Sequence, residues 1–209
     1  MVKIIGIEDM PKLESPFVRE LTEHGYFVTP QITPGHEWVF NDNENVLATE
    51  KLDGTDVSIV VFEGAIVSVW NRTGRVPFIN KGKKFIIEAV QNSYERGYAD
   101  LPDGQWFGEV IGKNVQGNSY NLKENLWIPF NTYARRKLSY KSWGKYPKTY
   151  EAISEWFREG LFSLYMANTT GDTTVKPEGV VFHNLKTGEM SKLRRDMFPW
   201  YTGKAHKQE

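Results

Sequence analysis

Cysteine is absent from the 209 residues, which excludes a disulfide scaffold, a thiolate zinc site and a thiol nucleophile. No apolar run approaches the ~18 residues of a membrane-spanning helix. The opening MVKIIGIEDMPKLE is acidic within its first ten residues, unlike a secretory signal. These absences predict a protein of the reducing cytoplasm, or of the host cytoplasm for a viral source, with no membrane partner. The histidines (His24, His36, His183 and His206) show no close pairing for zinc. A P-loop is missing as well. Gly108 and Gly112-Lys113-Asn114 leave three residues between the glycines, and Asn stands where Ser or Thr binds Mg²⁺. There is no repeat, no low-complexity tract and no Pro/Gly/Ser linker, so a single domain over 1–209 is expected.

Net charge is lacking too, since Lys+Arg and Asp+Glu are both 26, but the balance hides an asymmetry. Residues 1–56 hold eleven acids and four bases, which leaves 22 bases against 15 acids in the remainder. The sharpest stretch, Asn125 to Tyr150, carries Arg135, Arg136, Lys137, Lys141, Lys145 and Lys148 with no acid. Tyr133, Tyr140, Trp143 and Tyr146 are interleaved there. Bases neutralise phosphates and aromatics stack on unpaired bases, so this segment is a candidate nucleic-acid surface, with Lys81, Lys83 and Lys84 as a second. The same pattern also describes a solvated loop with core aromatics.

Composition is otherwise globular: 40% apolar, 25% charged and 14% aromatic. Ser15, Pro16 and Gly25 frame a short helix over 15–25. Strands are predicted at 46–52, 57–63 and 65–71, the last two as a hairpin around Glu63-Gly64. Residues 84–98 have helical spacing, 105–112 and 126–133 read as strands, and 149–166 reads as one long helix. A final strand pair, 179–184 and 189–195, turns at Lys186-Thr187-Gly188. This predicts an α+β fold of mostly antiparallel sheets with flanking helices.

Chemistry concentrates first at Glu50-Lys51-Leu52-Asp53-Gly54-Thr55. A lysine at a strand end, before a tight Asp-Gly turn and between carboxylates, is a candidate nucleophile once its amine is neutral. A plain surface turn has the same residues.

Further motifs follow in order. They are Asn71-Arg72-Thr73-Gly74, Phe107-Gly108-Glu109-Val110 with the Gly112 to Gly117 loop containing Gln116, Ile128-Pro129-Phe130-Asn131-Thr132-Tyr133, Pro177-Glu178-Gly179-Val180-Val181, and Ser191-Lys192-Leu193-Arg194. Together with Lys51-Leu52-Asp53-Gly54 they resemble the covalent nucleotidyltransferase superfamily of ATP-dependent RNA ligases, DNA ligases and capping enzymes. The closest resemblance is to the RNA ligases of the double-strand nick-sealing phage and editing-ligase branch.

The resemblance implies an ATP-grasp-like ligase adenylation domain in which Lys51 is adenylated by ATP. The nucleotide would be held by Glu50, Lys51, Asp53, Gly54, Arg72, Glu109, Phe130, Glu178, Lys192 and Arg194. Within that set Glu109 would bind the ribose, Phe130 would stack on adenine, and Lys192 and Arg194 would grip the phosphate. Asp53, Glu109 and Glu178 would serve Mg²⁺ or Mn²⁺. RNA would meet Arg72, Asp56, Gln116, Arg135, Arg136, Lys137 and Lys141. The implied reaction joins an RNA 5′-phosphate to a 3′-hydroxyl, on nicked duplex or other ends, by a protein expected to be a monomer. It is further expected to lack a C-terminal OB or helical domain, since 17 residues follow Lys192. Three positions depart from the family pattern: Asp56 stands where Asn is common, Asn131 where an acid is common, and Arg194 where Lys is common. A DNA or mixed-strand ligase, and a non-catalytic RNA-binding module on a ligase fold, are the alternatives.

Overall fold

The computed structural model describes residues 6–41, 44–79, 81–130, 135–145 and 147–203. Asn131, Thr132, Tyr133 and Tyr146 lie outside them. In chain order the strands are β1 (Phe17–Thr22), β2 (Gly25–Ile32), β3 (Val46–Lys51), β4 (Thr55–Phe62), β5 (Ala65–Asn71), β6 (Gly74–Arg75), β7 (Gly104–Gly112), β8 (Asn125–Pro129), β9 (Gly179–Asn184) and β10 (Met190–Arg194). The helices are α1 (Trp38–Asn41), α2 (Lys84–Glu95), α3 (Arg135–Lys137), α4 (Tyr150–Glu155) and α5 (Leu164–Thr170). Strands and helices are mixed and every strand pairing is antiparallel, as the α+β expectation required. No helix of the described residues is long and apolar enough to cross a membrane.

The chain forms two compact units. One comprises Met1–Pro11 and Leu52–Arg136, the other Lys12–Lys51 and Lys137–Glu209. The first unit holds a five-stranded sheet in the order β6-β5-β4-β7-β8. Its α2 buries Ile86, Ala89, Val90 and Ser93, an i, i+3, i+4, i+7 stripe. These side chains pack on Val57, Ile59, Val61, Val69, Val110 and Trp127 of the sheet. Trp127 is fixed at both polar ends. Its backbone N–H donates to Ser93 Oγ at 2.8 Å and its indole N–H to the Val57 carbonyl at 2.9 Å.

The second unit holds the three-stranded sheet β10-β9-β3 and the β1–β2 hairpin. The free edge of β3 is covered by residues 138–140: Glu50 N–H donates to Leu138 O and Tyr140 N–H to Ala48 O, both at 2.8 Å. Its core is strongly aromatic, with Trp143, Trp156, Phe157, Phe182 and Phe198 buried around Val180 and Leu193.

Two expectations are corrected. Residues 15–25 form not a helix but the β1–β2 hairpin, with Thr22 opposite Gly25 across a two-residue turn. Ser15 Oγ accepts from Phe17 N–H at 3.2 Å, so its side chain makes a local turn before a strand rather than capping a helix. The other case is 149–166. Thr149 caps α4 as a helix start should, but Trp156–Gly160 widens to a π-helical turn and the chain is extended at Leu161. Ser163 then caps a separate α5. The break has a tertiary cause described below.

Candidate active site

The register of the second unit decides which side chains meet. Lys51 pairs with Gly179, and Gly179 with Arg194, so the three form one row across β3, β9 and β10. The next row on the same face is Thr49, Val181 and Lys192. Side chains alternate along a strand. Lys51, Lys192 and Arg194 therefore share one face, while Ala48, Val180 and Leu193 turn into the aromatic core.

Glu178 precedes β9 and completes this cluster. Lys51 Nζ donates to Glu178 Oε2 in a short ion pair, with the lysine side chain 20% and the carboxylate 6% exposed. Glu178 Oε1 lies 3.7 Å from Arg194 Nη1, and Arg194 Nε lies 3.1 Å from Asp196 Oδ1. The Glu178 backbone is tied down as well, since its carbonyl accepts from Arg195 N–H at 2.9 Å. Gly179 must be glycine here: a Cβ would stand 2.1 Å from the Leu193 carbonyl oxygen and 2.7 Å from Arg194 Cα.

Glu50 points the other way. It is buried, accepts from Ser163 Oγ at 2.7 Å and from Tyr165 N–H at 2.8 Å, and so anchors the start of α5. The structure does not bring it to the Lys51 face. The same carboxylate explains why the predicted long helix breaks, because it gives Ser163 and Tyr165 better partners than a continuous helix would. Burial pushes the Tyr140 phenol well above its ordinary value, and Glu50 adds to the shift.

The first unit carries the remaining motif residues. Gly54 lies against β7 so closely that a Cβ would meet Val110 O at 2.2 Å and Glu109 Cγ at 2.7 Å. The Lys-x-Asp-Gly glycine is thus the piece that lets the turn rest on Glu109. Asp56 is directly opposite Glu109, and Glu109 opposite Ile128, on the sheet face away from α2. Phe130, half-buried, follows β8 two residues beyond Ile128. Asp53 and Glu109 are both buried carboxylates.

Three side chains from the loop after β7 hold the Asp53-Gly54 turn. Tyr120 Oη accepts from Asp53 N–H at 2.9 Å, Ser119 Oγ donates to Asp53 Oδ2, and Gln116 Nε2 donates to Gly54 O at 3.3 Å. Gln116, expected at RNA, is bonded here to the motif backbone. Ser119 and Tyr120 were not visible as site residues in the sequence, because no spacing rule links them to Asp53.

Arg72 sits at the tip of the β5–β6 turn, between the paired Asn71 and Gly74. Lys83 Nζ donates to Thr73 Oγ1 at 2.6 Å and so clasps that turn. A cavity of about 170 Å³ on this unit is lined by Glu8, Asp9, Asp56, Trp70, Arg72 and Phe107 among others. Gln105 binds the Glu8 peptide on both sides, accepting from its N–H at 2.9 Å and donating to its carbonyl at 2.7 Å.

The basic segment divides into two kinds of residue. Arg135, Arg136, Lys137, Lys141 and Lys145 are exposed. Tyr140 and Trp143 are buried in the aromatic core at 7% and 2% exposure, so these two do not offer faces to bases. This corrects the expectation of stacking at those positions, and the reason is their packing against Trp156 at 5.5 and 5.6 Å between ring centroids.

Among the described residues no group of three His, Asp or Glu side chains is placed to hold a metal by itself. The available donors are carboxylate oxygens: Glu178 in one unit, Asp53 and Glu109 in the other. Hard oxygen donors of this kind suit Mg²⁺ or Mn²⁺, and Mg²⁺ commonly uses one or two carboxylates and keeps its waters.

Lys51, its partner Glu178, Lys192 and Arg194 are thus gathered by the strands β3, β9 and β10. The RNA ligase family matches residues 44–197, and the chain belongs to that family. Among solved structures, a Naegleria gruberi RNA ligase variant with ATP and Mn is 18% identical with a TM-score of 0.49, over 87% of this chain and 59% of that one. The Naegleria gruberi RNA ligase with PPi is 16% identical with a TM-score of 0.48, over 90% and 61%. The chain thus spans about three fifths of the length of these structures. No curated protein matches it in sequence.

Proposed function

We propose that the protein is an ATP-dependent RNA ligase that works through a lysyl-AMP intermediate. The observation that carries this reading is the Lys51–Glu178 pair on a sheet face shared with Lys192 and Arg194. Lys51 Nζ would attack the α-phosphorus of ATP, forming a P–N bond as the P–O bond to pyrophosphate breaks. An amine paired to a carboxylate is an ammonium, so the pair must open and the amine lose a proton before attack. Glu178 would help hold a divalent cation, which would supply charge neutralisation at the phosphates. Lys192 and Arg194 offset phosphate charge, since phosphoryl transfer is mainly positioning and electrostatics.

In the second step AMP passes from Lys51 to an RNA 5′-phosphate. In the third a 3′-hydroxyl displaces AMP and the phosphodiester forms. Asp53 and Glu109 assist the metal, Glu109 takes the ribose hydroxyls and Phe130 stacks on adenine in this reading, all within a single adenylyltransferase domain. Arg72, Asp56 and the exposed Arg135, Arg136, Lys137 and Lys141 engage RNA. Nicked duplex RNA is the proposed substrate, and the protein acts as a monomer in the cytoplasm. The nick-sealing branch assignment rests on Arg72-Thr73-Gly74 and the Gln116 loop.

The test is intact mass after incubation with ATP and Mg²⁺, beside Lys51→Ala. The wild type should gain one AMP and the variant none. A folded wild type that binds ATP yet gains no mass overturns the reading in favour of a binding module. Nicked substrates with RNA or DNA on each side of the nick then separate an RNA ligase from a DNA or mixed-strand one.

A further inference from the structure

We infer that Asp196 is a positioning residue for nucleotidyl transfer, acting through Arg194; the inference rests on the ligase reading above. Four charges alternate within the second unit: Lys51, Glu178, Arg194 and Asp196. Asp196 lies two residues past the end of the motif strand, in a single 3₁₀ turn formed by Arg195–Met197. That turn brings its carboxylate back beside the arginine two residues earlier. Its side chain is 2% exposed and that of Arg194 9%, so the pair works where water screens it little.

The arrangement is unequal in a useful way. Arg194 Nε is 3.1 Å from Asp196, while Nη1 is 3.7 Å from Glu178. The planar guanidinium thus lies nearer Asp196 than Glu178, in an ion pair by distance rather than a hydrogen bond, and Glu178 keeps Lys51 as its closer partner. Among the described residues these two carboxylates are the ionic contacts of Arg194. With Asp196 uncharged, Glu178 is the remaining partner, and Arg194 would close on it. That movement takes Arg194 off the phosphate position and ties up the glutamate that the reaction has to free. Arg19 on β1 stands in the same field. Burial lowers its affinity for the proton first and Arg194 second, while Asp196 acts in the opposite direction. The Asp196 charge therefore also offsets part of the repulsion between the two guanidiniums.

The experiment is a double-mutant cycle on lysyl-AMP formation, with Asp196→Asn, Arg194→Gln and the pair, read as kcat and KM for ATP. Asp196→Asn should lower kcat/KM roughly tenfold, the scale of an outer-shell partner that orients a functional group. On the Arg194→Gln background it should add less than about twofold, because the residue it acts through is gone. Asp196→Glu, which keeps the charge, should recover most of the rate. Three results overturn the inference: an Asn variant with wild-type kcat and KM, losses that simply add, or a Glu variant as impaired as the Asn one. Removing one charge of a buried ion-pair network is itself destabilising. If Asp196→Asn does not fold, the double variant, which removes the Arg194 guanidinium together with the Asp196 charge, carries the comparison and must match Arg194→Gln. A wild type that forms no lysyl-AMP defeats the ligase reading instead, so the two failures are distinguishable.

Discussion

Replacing Gly54 with alanine tests the central geometric claim, that the Lys-x-Asp-Gly turn works only because it rests on Glu109 without a side chain. The added Cβ would stand 2.2 Å from Val110 O and 2.7 Å from Glu109 Cγ. Ordinary van der Waals contact of a Cβ begins at 3.4 Å, so something has to move by roughly 1 Å. The carbonyl cannot turn aside. Val110 sits in the middle of β7, opposite Thr55 on β4 and Trp127 on β8. Overpacking of this kind costs about 1–3 kcal/mol. For a chain of this size that is a fall in Tm of roughly 2–12 °C. A displacement of about 1 Å at reacting groups can cost on the order of a hundredfold in rate. Gly54→Ala should therefore melt lower and form lysyl-AMP about a hundredfold more slowly than wild type. Gly64→Ala is the control: its φ is +73° but nothing lies within 4 Å of the new Cβ. It should cost only about 1 kcal/mol of backbone strain and leave adenylation alone. A Gly54→Ala protein with wild-type Tm and adenylation would refute the reasoning.

Other perturbations follow from the same contacts. Glu50→Gln weakens a buried carboxylate that holds Ser163 and Tyr165, so the protein should lose about 1–3 kcal/mol in a denaturant melt; an unchanged midpoint counts against the anchor. Trp143→Ala should cost about 3–5 kcal/mol as a core deletion. Lys141→Ala should leave the melt alone and lower the salt slope of RNA binding by about one phosphate contact. A reversal of those two readouts would restore Trp143 as a stacking residue. Alkaline stability tests Tyr140, whose phenol burial raises above its ordinary 10. Above about pH 10 the unfolded chain loses this proton and the native state keeps it, so stability falls as pH rises. Tyr140→Phe should flatten that fall above about pH 10, and equal slopes would exclude it.

Much of this was legible in the amino-acid order. The hairpin at Glu63-Gly64, the helix from Lys84 and the last strand pair follow from turn chemistry and periodicity, which act within a dozen residues. The family motifs were legible as well, since each is short and their order is linear. Ser15 and Pro16 suit a helix start and a pre-strand turn equally, so local chemistry does not separate the first hairpin from a helix. Alternation with lysines says nothing about which face is buried, so the burial of Tyr140 and Trp143 is not legible in the sequence.

The sequence by itself determined the candidate nucleophile, the order of the motifs and most strand positions, because these depend on residue type and local spacing. Only the tertiary structure decided which of those residues act together. Lys51 and Glu178 are 127 residues apart, and it is the antiparallel register of β3 on β9 that puts them in contact. The same register turned Glu50, next to Lys51 in the chain, to the opposite face and into a helix anchor. Alternation along a strand separates neighbours, and pairing across strands joins strangers. That is why Asp196 and the Ser119–Tyr120 brace could be seen only once the chain was folded.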